Sequence, residues 1–153
     1  MSEQRFPEFE RFADEVARLR GRMRALFAET RAQTGLAEME LTVLTATVNA
    51  AAPPTVAQIG RSLGHPRQVV QRAANRLAEL GLVRYADNPD HKRASLIIAT
   101  EAGLALKAAD HARAQAISAD VMARVDARDF AEAADRLHAL RAEIEAYLRE
   151  RNR

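Results

Sequence analysis

The chain has no cysteine and no tryptophan, only six glycines and five prolines in 153 residues, and 5% aromatic side chains. Without a thiol, disulfides, Cys-ligated zinc, thiol nucleophiles and thiol-based redox sensing are all excluded. No run of about 18 apolar residues occurs, because Pro53, Pro54 or charges interrupt the longest apolar patches. The N-terminal stretch carries charges from Glu3 through Arg24 and holds no apolar segment of signal-peptide type. These absences predict a cytoplasmic protein with no membrane partner. With so few aromatics there is little bulk to fill a core between long helices, which points to a partner.

The chain is otherwise ordinary for a folded domain, with 48% hydrophobic and 29% charged residues and a formal charge of +2. Its length suits one domain. Alanine makes up about a fifth of the sequence. Because alanine loses no side-chain entropy in a helix, the prior is mostly helical.

From Pro7 to about Gly35, Phe9, Phe12, Val16, Leu19, Met23 and Leu26 step by three and four, which predicts one helix with an apolar stripe. A second helix runs from Glu38 to Ala51 and stops before Pro53-Pro54. Thr55 to Leu63 is a short helix closed by Gly64, and Pro66 to Leu80 is another, with proline in its first turn and Gly81 just beyond its end. The segments 82–86 and 94–98 are strands joined by a polar, turn-forming tip, Asp87 to Arg93. Thr100 caps a helix reaching about Ala123, and Asp126 or Asp129 caps the last helix. There Phe130, Ala133, Leu137, Leu140, Ile144 and Tyr147 repeat the spacing seen at the start of the chain. Spacing alone leaves open whether these stripes are internal core or a dimer seam.

The fold class that follows is mainly α with a small β-hairpin wing. Two helices joined by Leu63-Gly64-His65-Pro66 and followed by a basic hairpin form a winged helix-turn-helix. In that arrangement the first helix braces across the backbone while the second lies in a major groove about 12 Å wide. On the second helix Val70, Ala74 and Leu77 mark the core side, and Arg67, Gln68, Gln71, Arg72 and Asn75 lie elsewhere on the cylinder. Arg, Gln and Asn are the side chains able to bond guanine or adenine edges in bidentate fashion. From Gly60 to Arg93 seven basic residues face three acidic ones, a net +4, while the rest of the chain carries −2. Positive charge is concentrated where phosphates would be met. Arg61, Arg84 and Lys92 are placed to contact phosphates, with Arg67, Gln68, Gln71 and Arg72 selecting bases.

The segment from Thr55 to Gly64, then Gln71-Arg72 and the run from Asn75 to Arg84, resembles the winged helix-turn-helix of the MarR family of transcriptional regulators. The continuation from Asn88 to Arg93, through Leu96 to the Thr100-Glu101-Ala102-Gly103 turn, is similar to that family's wing and the start of its dimerisation helix. The likeness extends over the whole chain. It implies a single domain, 1–153, in which 37–99 bind DNA and 1–36 and 100–153 are dimerisation helices. It further implies a homodimer on a pseudo-palindromic operator in double-stranded DNA. Arg67, Gln68, Gln71 and Arg72 would enter the major groove, and Arg93 at the wing tip the minor groove. The chain departs from the family at two positions. His91 stands where the family often has Asp, leaving Asp87 or Asp90 to support Arg93, and Pro66 stands where it commonly has a capping Ser or Thr.

The histidines suggest no chemistry. His65 is a turn residue, and His111 and His138 lack the i, i+4 partner of a metal face, so neither metal nor cofactor is expected. Asp110-His111 and Asp135 near His138 have no Ser or Lys nucleophile beside them, and no glycine-rich phosphate loop exists, so the chain is not read as an enzyme. MarR-family members commonly respond to small aromatic or anionic ligands bound between the dimerisation helices and the winged region. Phe12, Phe27 and Met39 serve equally well as walls for such a ligand or as core, so no ligand site is assigned. The sequence thus describes a dimeric DNA-binding regulator, a repressor in preference to an activator because occluding a promoter needs no further surface. The alternative is a dimeric winged-helix interaction module that no longer binds specific DNA.

Overall fold

The computed structural model describes residues 6–151, which form two compact units divided after Ala114. The outermost residues of the two expected dimerisation arms, 1–5 and 152–153, lie outside the described residues.

In the first unit α1 (Pro7–Leu26) opens with proline at its start and Glu8 and Glu10 in its first turn, where the helix dipole favours negative charge. The single helix expected to Gly35 is instead broken at Phe27, where the backbone turns to φ −102° and ψ 15°, and α2 (Ala28–Gln33) follows. At the break one carbonyl, that of Arg24, is taken by a side chain, while the Phe27 carbonyl keeps the Arg31 N–H at 3.1 Å and accepts a second donor. Thr30 donates its hydroxyl to the Phe27 carbonyl at 2.9 Å, and the Arg31 guanidinium donates to the Arg24 carbonyl at 3.2 Å.

α3 (Glu38–Asn49) begins where the Glu40 carboxylate accepts the Ala37 N–H at 2.8 Å, and ends ahead of Pro53-Pro54 as the proline pair requires. α4 (Val56–Leu63) is held by a capping box. The Thr55 hydroxyl accepts the Gln58 N–H at 3.2 Å and the Gln58 side chain accepts the Thr55 N–H at 2.8 Å. α5 (Arg67–Glu79) follows after the left-handed Gly64, and the two helices approach so closely that a Cβ on Gly60 would stand 2.9 Å from the His65 carbonyl oxygen. Pro66 offers no side-chain cap, but its carbonyl accepts the N–H groups of Val69 and Val70, so the helix still starts where expected.

β1 (Val83–Ala86) and β2 (Leu96–Ala99) pair antiparallel, with Val83 opposite Ala99 and Ala86 opposite Leu96. β2 starts later than the expected Ala94. The Ala94 carbonyl is taken by the Asn88 side-chain amide at 2.9 Å and its N–H by the His91 carbonyl at 3.0 Å, so residues 94 and 95 belong to the wing loop. The Ile97 N–H instead reaches the Pro54 carbonyl at 2.8 Å, joining the hairpin to the segment before α4. The core lies between α3, α4, α5 and the hairpin, with Val43, Leu44, Val70, Leu77 and Ile97 fully buried. Thr100 caps α6 (Glu101–Met122) as expected, accepting the Gly103 N–H at 3.2 Å while donating to the Gly81 carbonyl at 2.6 Å.

The second unit comprises the end of α6 and α7 (Ala127–Arg151), which Asp126 caps by accepting the Arg128 N–H at 2.8 Å. None of the described side chains of α1 or α7 is buried.

Candidate nucleic-acid interface

α5 is two-faced because its apolar residues recur at helical spacing. Val70, Ala73, Ala74 and Leu77 are buried, which turns Arg67, Gln68, Arg72 and Asn75 to solvent, with Gln71 half-buried at the boundary. These five residues, all anticipated from the sequence, line one shallow surface along the first two turns and a half of the helix.

A second, deeper depression of about 1000 Å³ lies between α4, α5 and the wing. It brings Arg61 from α4, Arg67, Gln71 and Asn75 from α5, and Arg93 from the wing to one place. Arg84 and Lys92 line neither depression. For Arg84 the reason is strand alternation. Tyr85 turns its side chain toward α5, so its neighbour Arg84 faces the other side of the hairpin. Lys92 sits exposed on the wing loop.

The electrostatics favour an anionic partner. Among the described residues none of Arg61, Arg67, Arg72, Arg84, Lys92 and Arg93 enters an ion pair, whereas Arg76 is tied to Glu79 at 2.9 Å. Asp87 and Asp90 therefore do not hold Arg93 as the sequence suggested. The wing is shaped instead by Asn88, whose side chain donates to the Ala94 carbonyl and accepts the Asp90 N–H at 3.0 Å.

Sequence reasoning missed Tyr85. Its hydroxyl donates to Asn75 Oδ1 at 2.7 Å and accepts from Gln71 Nε2 at 2.9 Å, while Gln71 Nε2 also donates to Asn75 Oδ1 at 3.0 Å. Burial pushes the Tyr85 phenol above its ordinary pKa, and the hydrogen bond from Gln71 offsets part of that rise, so the group stays protonated and donates at neutral pH. The available signal was that Tyr85 shares a strand face with buried Val83, where a phenol needs a hydrogen-bond partner.

A separate cleft of about 630 Å³ lies between α3, α4 and α6, walled by Leu41, Ala46, Ile59 and Leu63, with Lys107 and Asp110 also lining it. Lys107 and Asp110 pair at 2.8 Å and are largely shielded from solvent. Phe12, Phe27 and Met39 do not line this cleft. Among the described residues no group of three or more His, Asp or Glu is placed to hold a metal ion, and no helix is long and apolar enough to cross a membrane.

Residues 34–94 match the MarR family. Uncharacterized proteins of Mycobacterium tuberculosis and Mycobacterium bovis are 49% identical to the chain over 49 residues, which is 32% of this chain and 34% of their length. A MarR-family transcriptional regulator from Rhodococcus sp. RHA1 superimposes with a TM-score of 0.74 at 22% identity, covering 90% of this chain and 96% of that one. BpsR of Bordetella bronchiseptica, whose DNA binding is regulated by 6-hydroxynicotinic acid, superimposes with a TM-score of 0.72 at 18% identity over 85% of this chain and 98% of its own. Residues 34–94 thus belong to the MarR family, and the chain that carries them has the winged-helix fold of that family's transcriptional regulators.

Proposed function

We propose that the protein is a sequence-specific, DNA-binding transcriptional regulator and not an enzyme. The observation that carries this reading is the joining of Arg61, Arg67, Gln71, Asn75 and Arg93 along one depression, with their cations unpaired among the described residues. α5 lies in the major groove with Arg67, Gln68, Gln71, Arg72 and Asn75 toward base edges. Arg93 reaches the minor groove. Arg61 and Lys92 contact phosphates, and Arg84 meets phosphate from the opposite face of the wing.

The protein acts as a homodimer in the cytoplasm, with helices 1–36 and 100–153 forming the seam and 37–99 the DNA-binding region of a single MarR-like domain. The exposed stripes on α1 (Phe9, Val16, Leu19, Met23) and on α7 (Phe130, Leu137, Leu140, Ile144, Tyr147) support that reading, since apolar surface of this extent is normally covered. Two copies present two α5 helices to a pseudo-palindromic site, and occupancy of a promoter represses it.

Control is by a small aromatic or anionic ligand in the cleft between α3, α4 and α6. Its apolar walls suit a ring, and an anionic group on the ligand has to displace the Asp110 carboxylate that already neutralises Lys107. The ligand favours a dimer whose α5 helices are wrongly spaced, and DNA affinity falls by the ratio of its affinities for the two states.

The test is salt-dependent binding to the DNA flanking the protein's own gene against random duplex. The expected result is a specific complex that survives moderate salt. Equal affinity for both duplexes would mean that the chain is an interaction module with a winged fold.

A further inference from the structure

Two of the chain's four histidines lie on the face that carries the unpaired arginines. His65 stands in the turn between α4 and α5, where a depression of about 430 Å³ holds it together with Arg61 and Arg67. His91, on the wing loop, lines the larger depression with the same two arginines and with Arg93. Both backbones are pinned. The His65 N–H donates to the Gly60 carbonyl at 2.9 Å, and the His91 N–H donates to the Asn88 carbonyl at 3.3 Å while its own carbonyl accepts the Ala94 N–H at 3.0 Å. The imidazoles themselves are left open. Among the described residues neither has a hydrogen-bond or ion-pair partner, whereas His138 Nδ1 lies 3.2 Å from the Arg141 guanidinium.

The charged groups around them are nearly all of one sign. Arg61 faces His65 from α4 and Arg67 from α5, and both share the larger depression with His91, Arg93, the protonated Tyr85 phenol of β1 and a single carboxylate, that of Asp90. An imidazole changes charge between about pH 5 and 8. A phosphate within about 4 to 6 Å favours its charged form, and a narrow minor groove concentrates the same negative potential. Resting on the reading that this face meets DNA, we propose that His65 and His91 are further DNA contacts that take up protons on binding, His65 on a phosphate beside α5 and His91 beside Arg93 at the minor groove. The complex then holds these protons more tightly than the free protein does. The added affinity is complete at the acid end of the range and is lost as pH rises through the titration of the complex.

The experiment is equilibrium binding of the full-length protein to random duplex near pH 6 and near pH 8 at constant ionic strength, since phosphate contacts do not depend on sequence. Wild type should bind about tenfold more tightly near pH 6 for each protomer engaged, about threefold for each imidazole, the scale of one exposed charge beside one phosphate. The slope of log affinity against log salt should steepen by about 1 to 2 per protomer at the lower pH, because each charged imidazole displaces about one more counterion. A merely structural role for the histidines does not steepen it. His65→Gln with His91→Gln keeps polar side chains that carry no charge and should bind alike at both pH values. His91→Gln alone, on the exposed wing loop, should leave about threefold per protomer, and it decides the matter where a change at His65 disturbs the turn. His111→Gln with His138→Gln, on α6 and α7, should keep the full dependence. No binding to duplex at either pH would overturn the DNA-binding reading itself. Binding of equal strength at both, or a pH dependence that survives in the His65 and His91 double variant, would overturn the histidine contacts alone.

Discussion

The hydroxyl of Tyr85 lies 2.7 Å from Asn75 Oδ1 and so ties a strand of the wing to the polar face of α5 across an interval of ten residues. The protonation state of this phenol can be read directly, because the chain has only two tyrosines. In Tyr147→Phe the remaining phenol should ionise above the ordinary tyrosine value of about 10, followed by ultraviolet absorbance. Removing the Gln71 amide, as in Gln71→Ala, takes away the bond that lowers this pKa, and should move the midpoint higher unless the cavity admits water. A pKa raised in the folded state means that the stabilisation is complete below the unfolded value and is lost as pH rises through the folded one. Stability should therefore be indifferent to this group at neutral pH and decline only in the alkaline range. An ionisation midpoint at or below the ordinary value would show that the phenol is not desolvated against α5.

The two kinds of contact proposed for the basic residues separate under mutation. Arg67→Ala, on α5, should relax sequence preference and cost about 1 to 3 kcal/mol on the specific site, whereas Arg84→Ala should weaken all duplexes alike and lower the salt slope by about 1. Arg84 gives the sharper test, because it faces away from the depression that holds the other site residues. If Arg84→Ala leaves the salt slope unchanged, the far side of the hairpin does not touch DNA.

Two glycine substitutions of the same kind should act in opposite directions. A Cβ on Gly103 would overlap the Leu82 carbonyl oxygen, where the first turn of α6 lies against the start of the hairpin, so Gly103→Ala should destabilise by about 3 kcal/mol, the upper end for overpacking. Gly21, inside α1, has nothing within 4 Å of such a Cβ. Gly21→Ala should stabilise the helix by about 0.5 to 1 kcal/mol. Thermal unfolding of the two variants checks both signs, and a neutral Gly103→Ala would show that α6 does not pack so closely on Leu82.

The parts of the structure that the sequence disclosed are those set by local chemistry. Gly64, Gly81 and Thr100 each marked a helix boundary through a group that can be named without tertiary information, and the spacing of Val70, Ala74 and Leu77 identified the buried side of α5. The break at Phe27 was hidden, because Phe27 continues the apolar pattern while Arg31, whose guanidinium takes the Arg24 carbonyl, looks like an ordinary helix residue. The start of β2 was misplaced because the carbonyl of Ala94 is claimed by Asn88, a bond across the wing loop. Tyr85 went unnoticed for the same reason on a larger scale. Its role depends on how the hairpin docks on α5, which neither segment's own periodicity records.

Dimerisation offers the last prediction, and it bears on the shortage of large side chains. Leu140 and Ile144 lie one turn apart on α7, 46% and 45% exposed, and they belong to a stripe that no described residue buries. In a two-fold seam each substitution acts twice. If these side chains are covered by a second copy, each contributes about 1.5 to 3 kcal/mol of burial, so Leu140→Glu with Ile144→Glu should raise the dimer dissociation constant by at least about 100-fold. Sedimentation should show a dimer for wild type and a monomer for the double variant. Helical content should stay close to wild type, because neither position belongs to the core around Leu44, Leu77 and Ile97. Affinity for a two-half-site duplex should fall toward that for one half-site, while random duplex is bound much as before. Wild-type protein sedimenting as a monomer at micromolar concentration would refute the homodimer, and with it the need for a pseudo-palindromic site.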